Sequence, residues 1–327
     1  MMTIYKLEKV DLDEKWDLFI KSSSTGTVFS YSEYLNCINK KVAAYFLYKN
    51  KEVRAAVALV LDDNNPRSTV LHNFLIYNGI IFGTQQHMQN NAQVISDHFR
   101  IMEFIATELP HYYNVVTMRL HPTVKDIRPF LWYNFGTAKP KYTVDIRYTS
   151  HVNIEELAVV PRIEDTVLYF ETLASRRQEL RYAMKKGVIT REDFQVDNFT
   201  EFYSKTMQRQ NIKVGSEYLG EMRTILVNLY KAGLGRLYVA YTADGQAGSM
   251  AFFCVDNKRA YYIFGANDPN LRDSHTGTAV LWDSFRFLSK DGVKEVDMEG
   301  VNSPQRGWFK LSFGGAIDSY YVVRLKL

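Results

Sequence analysis

The sequence has little cysteine. Its two thiols, Cys37 and Cys254, are far apart and each lies in an ordinary amphipathic segment. That excludes a disulfide framework and a cysteine-based zinc site, and leaves two buried, inert thiols as the expectation. The seven histidines form neither an HxxxH nor an HxH pair, so no metal is expected. Long apolar runs are missing too: no stretch reaches the roughly 18 uncharged apolar residues of a membrane span. The opening, MMTIYKLEKVDLDEKW, is charged throughout, unlike a signal peptide, and a cytoplasmic chain is expected. An excess of one charge is also lacking. With 40 basic against 36 acidic side chains the formal net charge is +4. Such a balance suits a phosphate-bearing small molecule or a transient contact with tRNA, demands neither, and gives no reason to expect DNA.

What is present is apolar and aromatic. A chain of 327 residues, 46% hydrophobic, with 22 tyrosines and 20 phenylalanines, exceeds what one core usually serves, so two domains are expected. Most of those aromatics must be core. Segment patterns give a strand over residues 3–8, a helix over 11–23, and a second helix over 30–39 with Ser30 as a possible N-cap. A hairpin around Lys49-Asn50-Lys51 follows, then strand character to Gly83, a helix over 89–109, a strand, a short helix at IRPFLWY and a closing strand. Residues 149–163 read as a linker. Beyond it come a basic helix, LASRRQELRYAMKKG, ending at Gly187, and two more helices. A hairpin at Asp244-Gly245, a strand, a helix over 276–292, the strand KEVDMEG, a short helix and a last strand complete the chain.

Both halves thus run helices, hairpin, strand, helix, strand, short helix, strand. RPFLWYNFG (128–136) lies over RGWFKLSFG (306–314), matching Arg128 with Arg306, Phe135 with Phe313 and Gly136 with Gly314. Tyr142 and Val144 then fall in register with Tyr320 and Val322. The expected fold class is α+β, a duplicated domain with boundaries 1–155 and 156–327. The recurring residues read as scaffold. Lys310 does not recur, because Trp132 takes its place, and this asymmetry points the chemistry to the C-terminal half.

Several stretches of that half carry a pattern together: SRRQELRYAMKKG, FYSKTMQRQ, AYYIFGAND, TGTAVLWDSF, DMEG and FKLSFGG. In order and spacing they resemble the acetyltransferase (GNAT) superfamily, specifically its double-domain branch that includes the Fem peptidoglycan aminoacyltransferases. The resemblance implies two tandem GNAT-like domains, each a mixed, mostly antiparallel sheet flanked by helices. It also implies acyl transfer to an amine without metal or covalent enzyme intermediate. Such a reaction needs the amine deprotonated and the developing oxyanion stabilised.

The resemblance places Lys310, the lysine of the FK..FG stretch, at the reacting carbonyl, where its charge offsets the oxyanion. A lysine lying across Trp308 and Phe313 with its ammonium in solvent is the plainer alternative. Phe309 packs beside the lysine and fixes it at the substrate pocket. In the basic helix Arg177 and Arg181 share a face, with Ser175 near the helix start. The resemblance implies that they hold the phosphates of a nucleotide-linked acceptor, whereas a solvated basic face is the bland reading and the one favoured for Lys185 and Lys186. HTGTA (275–279) keeps the Gly277 and Ala279 end of a coenzyme A pyrophosphate loop, but Ser274 replaces the usual Gln/Arg and Arg272 stands two residues earlier. Asp297 and Glu299, on alternate strand positions, are expected to share one face and to offer a base for the amine. Arg209 and Tyr218 are further acceptor candidates.

The function expected is N-acyl transfer, with acyl-CoA as co-substrate, to an amine of a nucleotide-linked sugar or cell-envelope precursor. An aminoacyl-tRNA donor is the alternative within the class, although the long heptad-patterned arm of some Fem enzymes is missing between residues 199 and 232. A non-catalytic binding module on the same fold is the alternative outside it.

Overall fold

The computed structural model describes residues 5–84 and 89–327. The chain divides into two compact units, residues 1–147 with 319–327, and residues 148–318.

In the first unit, β1 (Tyr5–Val10), β2 (Val42–Lys49), β3 (Glu52–Leu61) and β4 (Thr69–Val70) form a sheet in that order, with β5 (Gly79–Phe82) also on β3. The β2–β3 hairpin forms where expected, and Asn50 takes the left-handed turn position at φ 58°. β3 is buried on both faces because helices cover both. On one side lie α1 (Glu14–Ser22) and α2 (Ser32–Cys37), with Trp16 stacked on Phe46 at 5.6 Å. On the other, α3 (Asn91–Tyr112) sets Ile101, Ile105 and Leu109 against Tyr45, Val57 and Leu59. Residue 89 and the segment after it were expected to be helical; α3 starts behind a capping box of Asn90 and Gln93. Ser30 is not the expected N-cap: α2 starts behind Tyr31 without a side-chain cap, and the Ser30 carbonyl accepts the Trp16 indole N–H at 2.7 Å. The unit continues through β6 (Val115–Arg119) and α4 (Arg128–Trp132).

β7 (Thr143–Asn153) runs from the first unit into the second. The expected linker therefore begins with strand residues: Glu295↔Asn153 and Asp297↔His151 are ladder pairs, and pairing overrides the polar composition of the segment.

The second unit contains α5 (Val167–Glu171), α6 (Ala174–Lys185), β8 (Ile189–Glu192), α7 (Val196–Gln208), α8 (Ser216–Lys231), β9 (Gly235–Tyr241) and β10 (Ala247–Val255). It continues with β11 (Ala260–Asn267), α9 (Thr276–Lys290), β12 (Glu295–Asp297) and α10 (Pro304–Leu311), and the chain closes with β13 (Ala316–Lys326), which returns to pair with β6. The strand order is β7-β12-β11-β10-β9-β8. All pairs are antiparallel except β11 with β12. α9 covers one face, packing Val280, Leu281, Phe285 and Leu288 onto Tyr238, Ala251, Phe253 and Val296. Gly245, at φ 83°, closes the β9–β10 hairpin as its Asp-Gly turn requires.

The internal match holds unevenly. Gly136 and Gly314 are both left-handed, at φ 73° and 80°, each turning the chain after its short helix. Phe135 is 77% exposed while Phe313 is fully buried, so the matched phenylalanine is not a shared scaffold residue. Both cysteines are buried free thiols. No helix among the described residues is long and apolar enough to cross a membrane.

Candidate active site

The site develops from an irregularity in β11. On β10, Phe252 and Phe253 are adjacent, yet they face Phe264 and Tyr262, so Ile263 is an extra residue on β11. Such a bulge re-aims side chains. Here it brings Tyr262 and Gly265, three apart, onto one face. The Tyr262 hydroxyl then occupies the space over Gly265, and a Cβ there would stand 1.9 Å from that oxygen. Only glycine fits.

β12 pairs with β11 for just Ala260↔Val296 and Tyr261↔Asp297, while β11 runs on to Asn267. Beyond Tyr261, where β12 ends at Asp297, β11 runs on without this partner, which leaves an opening in the strand pairing from Tyr262 onward.

Lys310 comes to this opening from α10. The helix is docked by Gly307, where a Cβ would lie 2.4 Å from the Val301 carbonyl oxygen. Lys310 is not the solvated amphipathic lysine of the plainer reading. The residue is 8% exposed, its ammonium donates to Glu299 Oε2 at 3.0 Å, and Nζ sits 5.2 Å from the Tyr262 ring centroid. An ion pair and an aromatic face offset the cost of taking the ammonium out of water.

Glu299 reaches Lys310 by a route unlike the expected one. β12 ends at Asp297, and Glu299 lies beyond it with φ 57°. Asp297 and Glu299 do not share a strand face. Asp297 Oδ1 instead accepts the Glu299 backbone N–H at 2.8 Å, an Asx-type turn that swings the Glu299 carboxylate away from the strand. Asp297 is fully buried, and Oδ1 also accepts the Thr149 hydroxyl.

Tyr203 of α7 extends the cluster. Burial is the main cause that raises its phenol pKa, helped by the neighbouring Tyr218, with which it hydrogen-bonds, and by the Glu299 charge, while Arg306 opposes. Tyr218 thus joins Glu299 through Tyr203. The Tyr262 phenol is likewise raised, by burial first and by Glu299 second. Arg209 is exposed at the end of α7.

The basic helix divides. Arg177 lies over the Tyr169 ring at 5.7 Å and Arg181 donates to the Tyr169 hydroxyl at 2.9 Å, so the two guanidinium groups gather on α5. Ser175 is exposed in the first turn of α6. Arg176, which the sequence reading passed over, ties three helices together. It pairs with Glu179, donates to Thr278 Oγ1 of α9 at 3.0 Å, and lies 5.2 Å over the Phe309 ring of α10. Phe309 is accordingly packed between Arg176 and Phe313, whose ring centroid is 5.3 Å away.

α9 begins at Thr276, behind a left-handed His275 at φ 62°. Its first turn is pressed onto β10, with Thr276 Oγ1 2.8 Å from Ser249 Oγ. Gly277 faces the end of β11, where a Cβ would lie 3.2 Å from Asn267 Oδ1. The open β11 edge therefore leads from Tyr262 and Lys310 to the N-terminus of a 15-residue helix, a place that favours phosphate. Ala279 is a core residue and Arg272 is exposed on the preceding turn. Among the described residues no group of His, Cys, Asp and Glu is arranged to hold a metal ion.

Residues 173–306 match the model of the acetyltransferase (GNAT) domain. The whole chain is similar in structure to FemX, with a TM-score of 0.64 at 11% identity over 97% of this chain and 96% of that one. A tandem GNAT protein from the clavulanic acid biosynthesis pathway gives 0.51 at 10% identity, covering 98% of each chain. The C-terminal domain of a putative lysylphosphatidylglycerol synthetase from Agrobacterium fabrum gives 0.52 at 12% identity, covering 96% of this chain and 91% of that one. The chain thus has the tandem GNAT-like, FemX-like fold. No curated protein sequence matches it.

Proposed function

We propose that the protein is an N-acyltransferase in which Lys310 and Glu299 form the reacting centre. The donor is an acyl-CoA, and the acceptor an amine on a nucleotide-linked sugar or cell-envelope precursor. The observation that carries this reading is the buried Lys310, paired with the partly exposed Glu299 and set against Tyr262, just past the end of β12.

The chemistry follows from the residues. An incoming amine arrives largely as ammonium and can take the place of Lys310 on Glu299, which accepts its proton. The nitrogen then forms a bond to the acyl carbonyl carbon, and the carbonyl oxygen becomes an oxyanion. Lys310, released from Glu299 and backed by the Tyr262 ring, offsets that charge in a site poor in water, where a fixed cation acts strongly. The carbon–sulfur bond breaks, the proton held by Glu299 passes to the leaving thiolate, and the nitrogen gives its second proton to the emptied Glu299 carboxylate, leaving a neutral amide and a free thiol. The first turn of α9, with Gly277 close to the end of β11, is suited to the pyrophosphate of coenzyme A. Arg177 and Arg181, gathered on Tyr169, are suited to phosphate on the acceptor.

Native mass spectrometry of the chain in mixed pools of acyl-CoA and aminoacyl-tRNA tests the donor. The proposal expects acyl-CoA to be retained and its mass to shift when the acyl group is transferred. Retention of tRNA alone makes the aminoacyl ester the donor, and retention of neither leaves a binding module.

A further inference from the structure

We propose that Asp297 is a positioning residue, which together with Thr149 and His151 holds Glu299 in the left-handed turn that delivers its carboxylate to Lys310. This rests on the Lys310–Glu299 reading above, and it removes Asp297 from the set of proton carriers.

Three observations carry it. First, Asp297 has no exposed surface. Both its carboxylate oxygens face neighbours: Oδ1 accepts from the Glu299 N–H and from Thr149, and Oδ2 stands 3.4 Å from His151 Nε2. A carboxylate so enclosed has no path to a substrate proton.

Second, Glu299 is a non-glycine residue at φ 57°, a left-handed conformation that crowds its Cβ. Such strain persists only where the surroundings over-determine it. The Asp297 bond to the Glu299 N–H is the determinant visible here. Without it the chain past β12 is free to relax, and the carboxylate leaves Lys310.

Third, the supports are built into the sheet. β7 and β12 are antiparallel with His151 directly opposite Asp297, and Thr149 lies two residues along on the same face of β7. The other charged groups acting on His151 are Glu295 of β12 and Arg259, just before β11. His151 Nε2 is buried and makes no hydrogen bond, at ion-pair distance only. It is oriented to balance the Asp297 charge.

The test separates a held geometry from a transferred proton. Asn forms the same turn as Asp, so Asp297→Asn preserves the acceptor for the Glu299 N–H while abolishing proton exchange. Asp297→Ala abolishes both. Two measurements are made on each variant: acyl-transfer kcat across pH, and the rate of trace acetic anhydride labelling of Lys310 at fixed pH, read by peptide mass spectrometry. The labelling needs no acyl donor, so it reports on positioning even if the protein transfers nothing. We expect Asp297→Asn to keep the wild-type labelling rate and to lose no more than about tenfold in kcat, well short of the 10²–10⁴-fold cost of deleting a general base. Asp297→Ala should speed Lys310 labelling as the lysine loses its partner and its cover. Thr149→Val, which leaves the carboxylate intact, should move it in the same direction if Asp297→Ala does not fold. A loss for Asp297→Asn as deep as for Glu299→Gln, with Lys310 labelling unchanged, would overturn the proposal. So would a labelling rate that neither Asp297→Ala nor Thr149→Val moves.

Discussion

Lys310 and Glu299, on opposite sides of the 300–309 segment, meet at 3.0 Å beside an aromatic ring. A lysine and a carboxylate so close are each other's counter-ion, and substrate must divide them before either can act. Loss of Glu299 should therefore damage the reaction twice, through the missing base and through a lysine no longer held. Glu299→Gln is expected to reduce kcat by roughly 10²–10⁴-fold, with the thermal midpoint nearly unchanged because the side chain is 27% exposed. A steady-state pH profile checks it.

The contact between Tyr262 and Gly265 gives a steric test. With 1.9 Å between the hydroxyl and a new Cβ, Gly265→Ala forces Tyr262 out of place. Overpacking of this kind costs about 1–3 kcal/mol, and the aromatic backing of Lys310 is lost with it. Tyr262→Phe on top of Gly265→Ala should recover part of the stability, since the nearest remaining ring atom lies at 3.0 Å. A double-mutant cycle in urea measures the coupling. Additive losses would contradict the contact.

His151 predicts a pH dependence. Burial alone depresses its pKa, but the Asp297 carboxylate 3.4 Å away, with Glu295 behind it and Arg259 opposing, leaves it above the ordinary 6.5. A group raised on folding stabilises the folded state fully below its unfolded pKa, and that stabilisation fades as pH rises through the folded value. The gap in thermal midpoint between the protein and His151→Gln should thus be widest below pH 6.5 and should narrow above it. A gap that widens with pH would show that His151 is held neutral.

Much of the fold was legible in the sequence, and the reasons are physical. Long periodic segments such as α3, α6, α8 and α9, the Asp244-Gly245 turn and the left-handed glycines at 136, 187 and 314 all fell where local chemistry put them. Lys310 stood out in the sequence because it breaks the internal match. Partnerships were not legible. Alternation placed Glu299 on the Asp297 face, because nothing local announces that the strand stops and the next residues turn left-handed. Tyr262 read as one more strand aromatic, since only the bulge at Ile263 gives it a role. The helix period could not choose between Arg176 and Arg177; their partners, Thr278 with Phe309 and Tyr169, do.

That division of the basic helix has a kinetic consequence. Arg177→Ala should raise the acceptor KM with little change in kcat, because Arg177 lies over the Tyr169 ring rather than tying helices together. Arg176→Ala should instead lower stability, since it unties α6 from α9 and α10. Reversal of the two effects would mean that Arg176 is the ligand.

The most direct test of the Lys310 centre is the rate of free thiol release from acyl-CoA, with an amine acceptor present, for Lys310→Met beside the unaltered protein. Methionine fills the same channel without charge. The expected result is a well-folded protein whose turnover falls by roughly 10²–10³-fold, the usual cost of removing one preorganised oxyanion donor. Unchanged turnover in Lys310→Met would remove Lys310 from the reaction.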